Sequence, residues 1–191
     1  MRVLTIYAHP NPQSFNHVIL DEFSKGLVSG GHAADVVDLY SIKFDPCVTL
    51  EDFAQFSGGQ LPTDVLAQQE KINQADGIAL IHPMWGWSFP AILKGWMDRV
   101  FSYGFAYTAS EQGLKGLLRD RKVLVISTAG MPEEYYRGMG YFEAFEATCN
   151  GIFNVCGINS VEYATFYAVE AVGDQGRKRY LEDAFRLGKD F

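Results

Sequence analysis

The chain has 191 residues, of which 48% are hydrophobic and 20% are charged, and its formal net charge is -7. That length fits one domain over residues 1–191, and the composition excludes a disordered or collagen-like protein. The chain is acidic and has no basic cluster, so we do not expect it to bind nucleic acid or anionic membrane surfaces.

Cysteine usage and the chain start predict the cellular setting. Cys47, Cys149 and Cys156 form no CxxC pair, so we expect buried free thiols and neither a disulfide framework nor a metal site. The apolar stretch at the start predicts a strand rather than a signal peptide, and no run approaches the ~20 residues of a membrane span. The reducing cytoplasm is the expected location.

The first half of the chain alternates strands and helices. A continuous apolar run over 2–8 predicts a strand covered on both faces. Ser14 is a good N-cap for a helix with one apolar face, which Gly30-Gly31 ends. The elements predicted next are a strand over 34–39, an irregular stretch over 42–59 with a helical turn near 51–53, a helix over 63–75 and a buried strand over 77–81.

A loop and helix after this third strand dominate the middle of the chain. The loop from His82 holds Trp85 and Trp87, two of the protein's three tryptophans. Pro90 suits the first turn of a helix, and apolar residues follow it at helical spacing. The elements predicted for the second half are a Gly-aromatic turn over 102–107, a short amphipathic piece over 114–120, a strand over 122–127, a loop, a helix over 142–156, a strand over 161–167 and a helix over 175–188.

Five alternating strand–helix units predict an α/β fold with a parallel sheet, right-handed crossovers and helices on both faces. Such a domain is typically a flavodoxin-like three-layer sandwich with a five-stranded sheet of order 2-1-3-4-5, whose ligand lies at the carboxyl ends of the strands near the switch point. The loops that begin at His9, His82 and Ser127 follow strands one, three and four. We therefore expect these three loops to meet at one edge of the sheet.

The first loop is suited to phosphate, because it enters a helix whose free N–H groups and dipole favour an anion. The amides of Phe15 and Asn16, the Ser14 hydroxyl and the His9 ring are the expected donors. The same residues also fit a simple helix cap and a strand end. The loop lacks both GxGxxG and GxxxxGK[ST], so it is neither a Rossmann fingerprint nor a Walker loop.

The other two loops are suited to a flat ring. Trp85 and Trp87 supply stacking surface, and Gly86 allows a close backbone approach. The stretch Thr128–Gly130 offers a hydroxyl and backbone N–H groups that can stabilise negative charge on a ring, although an ordinary turn would look the same. No GxSxG elbow is present, so a Ser/His/Asp triad is not expected.

Several motifs together resemble those of one known family. They are Ala8-His9-Pro10, Ser14-Phe15-Asn16, the run from Phe89 to Trp96, Arg99-Val100-Phe101 and Gly104-Phe105-Ala106-Tyr107. The chain resembles the NAD(P)H:quinone oxidoreductases, flavoproteins of flavodoxin-like fold that include DT-diaphorase and shorter bacterial NAD(P)H oxidoreductases. The similarity extends from the first strand through the Gly130 loop and is most specific from Pro90 to Tyr107, and about the last 50 residues match in pattern only.

The resemblance implies a tightly bound FMN or FAD. Its phosphate would be held by His9, Ser14, Phe15 and Asn16. Its ring system would be lined by Pro83, Met84, Trp85, Gly86 and Trp87, with Thr128, Ala129 and Gly130 on the pyrimidine side.

The resemblance also implies catalytic groups and a homodimer. Tyr107 matches a tyrosine that enters the neighbouring subunit's active site, and either Tyr135 or Tyr136 should lie near the flavin. The Gly130 amide and a tyrosine hydroxyl are the candidates to stabilise charge on the reduced ring. Tyr141 stands about where well-known relatives carry a catalytic histidine.

This sequence departs from those relatives at three further places. It has Gly86-Trp87-Ser88 where they have Trp-Phe-Gly, and Ala109 where they have a second tyrosine. Its segment 49–60 is shorter than in DT-diaphorase, which favours FMN over FAD.

The implied activity is a two-electron, ping-pong transfer from NAD(P)H through the flavin to a quinone or similar acceptor. Reduction of azo or nitro compounds would use the same chemistry. The alternative is a flavodoxin-like electron carrier or a regulatory flavin subunit of an ion transporter. Bleaching of the flavin by NAD(P)H distinguishes an oxidoreductase from a carrier.

Overall fold

A computed structural model describes the backbone of residues 1–191 and every side chain except that of Ser57. Five parallel strands form one sheet in the order β2-β1-β3-β6-β7. These strands are β1 (Arg2–Tyr7), β2 (Ala33–Asp38), β3 (Gly77–Pro83), β6 (Val123–Thr128) and β7 (Val161–Phe166). Counted within this sheet alone, the order is 2-1-3-4-5, so the predicted flavodoxin-like fold is confirmed.

Six α-helices and one 3₁₀ helix accompany the sheet. The α-helices are α1 (Phe15–Ser29), α2 (Thr63–Gln74), α3 (Ala91–Val100), α4 (Glu133–Gly138), α5 (Tyr141–Val155) and α6 (Gly173–Lys189). Helices α1 and α6 share one apolar core with the sheet, and α2, α3 and α5 share the other. In the described part of the chain, no helix has the length and apolar character needed to cross a bilayer.

The register aligns the carboxyl ends of the central strands. Tyr7 in β1 pairs with Ile81 in β3, and Pro83 at the end of β3 pairs with Thr128 at the end of β6. Strand β3 therefore runs two residues beyond the predicted strand over 77–81, and it is buried along its whole length. The loops after β1, β3 and β6 consequently leave the sheet at the same edge, as the sequence predicts.

Two elements differ from the sequence-based prediction. Residues 114–120, predicted as an amphipathic piece, begin in a two-stranded hairpin of β4 (Tyr107–Ser110) and β5 (Gly113–Gly116). Both strands are short and largely exposed, so they carry no apolar alternation. Helix α4 forms within the predicted loop because Pro132 precedes it and two glutamates occupy its first turn, and its six residues are too few to show a period.

The cysteines are free, as predicted, but they are not all buried. Cys149 and Cys156 are buried, whereas Cys47 is exposed, so the expectation of a buried thiol is wrong there. Burial raises the pKa of Cys149 to about 11 and that of Cys156 to about 12. The two buried thiols therefore stay protonated at neutral pH and act as apolar packing groups.

Candidate functional site

A cleft of about 610 Å³ opens at the carboxyl edge of the sheet. Residues from the loops after β1, β3 and β6 line it: His9, Ser14, Phe15, Asn16, Pro83, Met84, Trp85, Thr128, Ala129, Gly130 and Tyr136. The structure thus brings together most of the residues that the sequence proposes for a flavin site. Gly86, Trp87, Tyr107, Tyr135 and Tyr141 do not line the cleft.

The helix start at one end of the cleft presents unpaired donors. Ser14 caps α1, and its Oγ accepts a hydrogen bond from the His17 amide at 3.3 Å. The amides of Phe15 and Asn16 make no hydrogen bond to the part of the chain that the structure describes. These N–H groups and the helix dipole make this end of the cleft favourable for an anion.

His9 completes this end with an imidazole ring. Its Nδ1 lies 3.0 Å from the Asn11 amide nitrogen and 3.2 Å from the Asn11 carbonyl oxygen. Burial lowers the pKa of His9, and its contact with the Asn11 backbone only partly opposes that shift. His9 is therefore a neutral ring at pH 7, and its Nε2 makes no hydrogen bond to the described residues.

Hydrogen bonds join the loops that form the floor. Asn16 Nδ2 donates to Thr128 Oγ1 at 2.7 Å, which ties the start of α1 to the end of β6. The Met84 amide donates to the Thr128 carbonyl at 2.8 Å and ties the β3 loop to the same residue. Asn16 Oδ1 is buried without a partner, so one buried polar atom of the floor remains unsatisfied.

The tryptophan loop is a tight primed turn. The backbones of Trp85 and Ser88 exchange two hydrogen bonds of 3.1 Å, and the central residues Gly86 and Trp87 have φ of 55° and 60°. Positive φ at both central positions is the requirement of a type I′ turn. Gly86 thus supplies backbone freedom for the turn, whereas Trp87 occupies a left-handed conformation that costs energy for a residue with a Cβ.

The two tryptophans have separate surroundings. Trp85 is 46% exposed, lines the cleft, and has its ring 5.7 Å from that of His9. Trp87 is turned to the rim, where its ring lies 4.6 Å from Tyr141. Tyr141 in turn lies 6.2 Å from Tyr135, so these aromatic rings form a continuous wall beside the cleft.

Of the two alternatives left open by the sequence, Tyr136 and not Tyr135 lines the cleft. Tyr136 is buried and packs against Tyr167 with ring centroids 5.7 Å apart, whereas Tyr135 is 40% exposed. The raised pKa of Tyr167, about 12, results from burial first and from Glu133 second. Tyr167 therefore keeps a neutral hydroxyl behind this wall at pH 7.

Tyr107 lies away from the cleft of its own chain. It begins β4, beyond the carboxyl-terminal end of α3, and its ring contacts Tyr103 at 6.1 Å. Helix α3 runs antiparallel to the strands, so its end lies at the amino edge of the sheet.

Sequence reasoning missed three cleft residues that follow β7, namely Val169, Glu170 and Arg177. Arg177 lies near the start of α6, where its guanidinium donates to Asp174 Oδ1 at 2.7 Å and to the Val169 carbonyl at 3.4 Å. It is the one cation among the cleft residues described by the structure. The available signal was topological, because β7 also ends at this edge of the sheet.

Comparisons with known proteins agree with this architecture. A family model described as flavodoxin-like fold matches residues 1–187. An uncharacterised NAD(P)H oxidoreductase of Haemophilus influenzae is 35% identical over 95% of this chain and 91% of that protein. A ribosyldihydronicotinamide dehydrogenase [quinone] of Rattus norvegicus is 30% identical over 94% of this chain and 87% of its own length.

A solved structure gives the same result in three dimensions. The NAD(P)H:quinone oxidoreductase of Methanothermobacter marburgensis superposes with a TM-score of 0.91 and 34% identity, covering 100% of this chain and 98% of that one. The fold, the shared motifs and these relatives together show that the chain belongs to the NAD(P)H:quinone oxidoreductase family of flavodoxin-like fold.

Proposed function

We propose that this protein is a flavin-dependent oxidoreductase that takes two electrons from NAD(P)H and passes them to a quinone or a similar acceptor in a ping-pong cycle. One observation carries the proposal: a single cleft combines an anion-binding helix start with an exposed tryptophan face. A flavin nucleotide has the matching parts, a phosphate and a flat ring.

The cleft fits such a nucleotide in polarity as well as in shape. At one end lie the free amides of Phe15 and Asn16, and the guanidinium of Arg177 adds a positive charge to the lining. At the other end, Gly130 borders open space, and a Cβ built on it meets nothing within 4 Å. The cofactor would therefore be held by its phosphate at α1 and α6 and by its ring between Trp85 and Gly130.

We propose FMN rather than FAD. Among the residues that the structure describes, no cleft residue comes from segment 49–60 or from the loop after β2. The cleft thus has no wall on that side to hold an adenosine extension. Mass spectrometry of the released flavin distinguishes FMN from FAD.

A bound flavin supplies the reversible two-electron chemistry that links NAD(P)H oxidation to acceptor reduction. The Gly130 amide has no partner in the described part of the chain, so it is placed to stabilise negative charge that develops at the ring. Trp85 and the rim pair Trp87–Tyr141 offer apolar surface for the flat rings of nicotinamide and quinone. Tyr136, which is buried, excludes water from the inner wall.

The decisive experiment is anaerobic titration of the FMN-loaded protein. We expect NADH or NADPH to bleach the flavin absorbance fully and a quinone to restore it. A protein that binds no flavin would contradict the proposal. A flavin that NADH and NADPH both leave oxidised would favour the alternative of an electron carrier or regulatory subunit.

Arg177→Ala is expected to weaken FMN binding by roughly tenfold, because one charge-assisted contact to phosphate is lost. Fluorescence titration of the apoprotein with FMN measures this change. Arg179→Ala removes the same charge from an exposed position of the same helix and should leave the affinity unchanged. Equal affinities of the two variants would remove Arg177 from the phosphate site.

We further propose a homodimer in which Tyr107 serves the cleft of a second copy, since it lies away from its own cleft. Tyr107→Phe should then lower turnover up to about tenfold through loss of one hydrogen bond, with flavin retention unchanged. Tyr103→Phe, at the adjoining ring, is the control. Steady-state kinetics with flavin quantification measure both effects, and equal loss of turnover and flavin would contradict this role.

A further inference from the structure

A second polar cavity, of about 340 Å³, lies at the opposite edge of the sheet. Its polar side chains are those of Asn73, Arg119 and Arg121, and its apolar wall consists of Phe105, Leu117 and Leu118. Asn73 lies in the last turn of α2, and Arg121 stands two residues before β6. The cavity therefore adjoins the amino end of β6, whereas the flavin cleft lies at the carboxyl end. Because β6 has six residues, the two sites are roughly 20 Å apart.

Arg121 is a buried cation without a carboxylate partner. Arg121 is only 7% exposed. Its Nη1 donates to the Ile72 and Ala75 carbonyls at 2.6 and 2.8 Å, so it caps the end of α2. No carboxylate in the described part of the chain forms an ion pair with it. Burial first, and the neighbouring Arg119 second, lower its pKa, against a smaller opposing effect of Asp76.

Three of the side chains that line this cavity keep spare hydrogen-bond donors. Arg121 Nη2 makes no hydrogen bond to the described residues, and it is not among the fully buried unpaired atoms, so solvent reaches it. Arg119 uses only Nη2, which donates to the Ala75 carbonyl at 2.7 Å and to Asp76 at 2.9 Å. The side-chain amide of Asn73 makes no hydrogen bond to the residues that the structure describes. The three side chains therefore carry more hydrogen-bond donors than are needed to cap the end of α2.

We propose that the cavity lined by Arg119, Arg121 and Asn73 binds a small oxyanion, a phosphate monoester or a carboxylate, carried on an apolar body. The planar donors of two guanidinium groups match the oxygens of such an anion, which would also compensate the buried charge of Arg121. Phe105, Leu117 and Leu118 provide the surface for the apolar body. The volume lies within the range of small-molecule sites. This binding site is independent of the flavin cleft and of the proposed activity.

Calorimetric titration of the FMN-saturated protein with phenyl phosphate, benzoate and inorganic phosphate tests the site. We expect one-to-one saturable binding of at least one aromatic anion, tighter than that of inorganic phosphate. The stronger of phenyl phosphate and benzoate identifies the preferred head group. FMN fills the phosphate end of the cleft and blocks anion binding there, and addition of a quinone in excess tests whether the probe occupies the acceptor side of the cleft instead.

Matched variants locate the binding site. Arg119 and Asn73 are exposed, so the variants Arg119→Ala and Asn73→Ala should both fold. Each should weaken binding of the anion, and Arg119→Ala should do so by roughly tenfold. Arg179→Ala makes the same change of net charge elsewhere and should bind as the wild type does. Absence of saturable binding would reduce Arg121 to a helix cap. Equal weakening by Arg119→Ala and Arg179→Ala, or displacement of the anion by excess FMN, would also overturn the site.

Discussion

Arg99→Leu is expected to lower the free energy of unfolding by about 3–5 kcal/mol, the usual cost of removing one partner from a buried ion pair. Arg99 is 5% exposed, and its Nε donates to Asp52, itself 6% exposed, at 3.0 Å. Its Nη1 donates to Asp64 at 2.6 Å and to the Asp45 carbonyl at 2.8 Å. Leucine in its place would leave the Asp52 carboxylate buried without its cation.

The Arg99 contacts also hold a segment in place. The 3₁₀ helix Leu50–Ser57 and the chain before it contact α3 through this guanidinium, which also lies 5.2 Å from the Phe44 ring. We therefore expect Arg99→Leu to increase proteolysis between 44 and 57 before the sheet unfolds.

Urea unfolding at equal flavin load measures the free-energy change. Lys94→Leu is the matched control on the same helix, because the Lys94–Asp98 pair is exposed on both sides and should contribute at most about 0.5 kcal/mol. Arg99→Leu combined with Asp52→Leu should recover part of the loss, since no uncompensated charge then remains. A single-variant loss no larger than that of Lys94→Leu would show that the buried pair does not stabilise the fold.

The central strands β1, β3 and β6 were predictable because each is an apolar run buried on both faces. The alternation with helices then determined the strand order. The hairpin of β4 and β5 was not predictable, because its exposed residues gain stability from tertiary placement rather than from a periodic apolar face. The partners of Arg99 were equally hidden, since they lie 35 and 47 residues away in sequence.

The residues of the candidate site also fall into predictable and unpredictable groups. Residues that directly follow β1, β3 and β6 were predictable, because parallel topology alone brings those loops together. Arg177 stands in the run Arg177-Lys178-Arg179, and only the rotation of α6 decides which of these cations enters the cleft. The orientation of Trp87 follows from the positive φ of the turn at Gly86, a local signal that the sequence contained.

The wild-type protein is expected to lose about 3 kcal/mol of stability between pH 6.5 and pH 4 through His82 alone. His82 is the second-last residue of β3, just before the tryptophan loop, and it is fully buried against the rings of Phe89 and Phe145. Its Nδ1–H donates to the Pro83 carbonyl at 2.9 Å, and Nε2 is buried without a partner. Burial lowers the pKa of His82 from 6.5 to about 4, an effect that the Pro83 contact only partly offsets.

The sign follows from which state binds the proton. Above pH 6.5 the ring is neutral in both states, so the folded protein keeps its full stability. Between pH 6.5 and 4 the unfolded chain takes up a proton that the folded chain excludes, so the free energy of unfolding falls; below pH 4 this contribution is constant. Urea unfolding across this range should show a steeper slope for the wild type than for His82→Phe, whose remaining pH dependence comes from the carboxylates that both proteins share. Parallel slopes would contradict a lowered pKa of His82 in the folded protein.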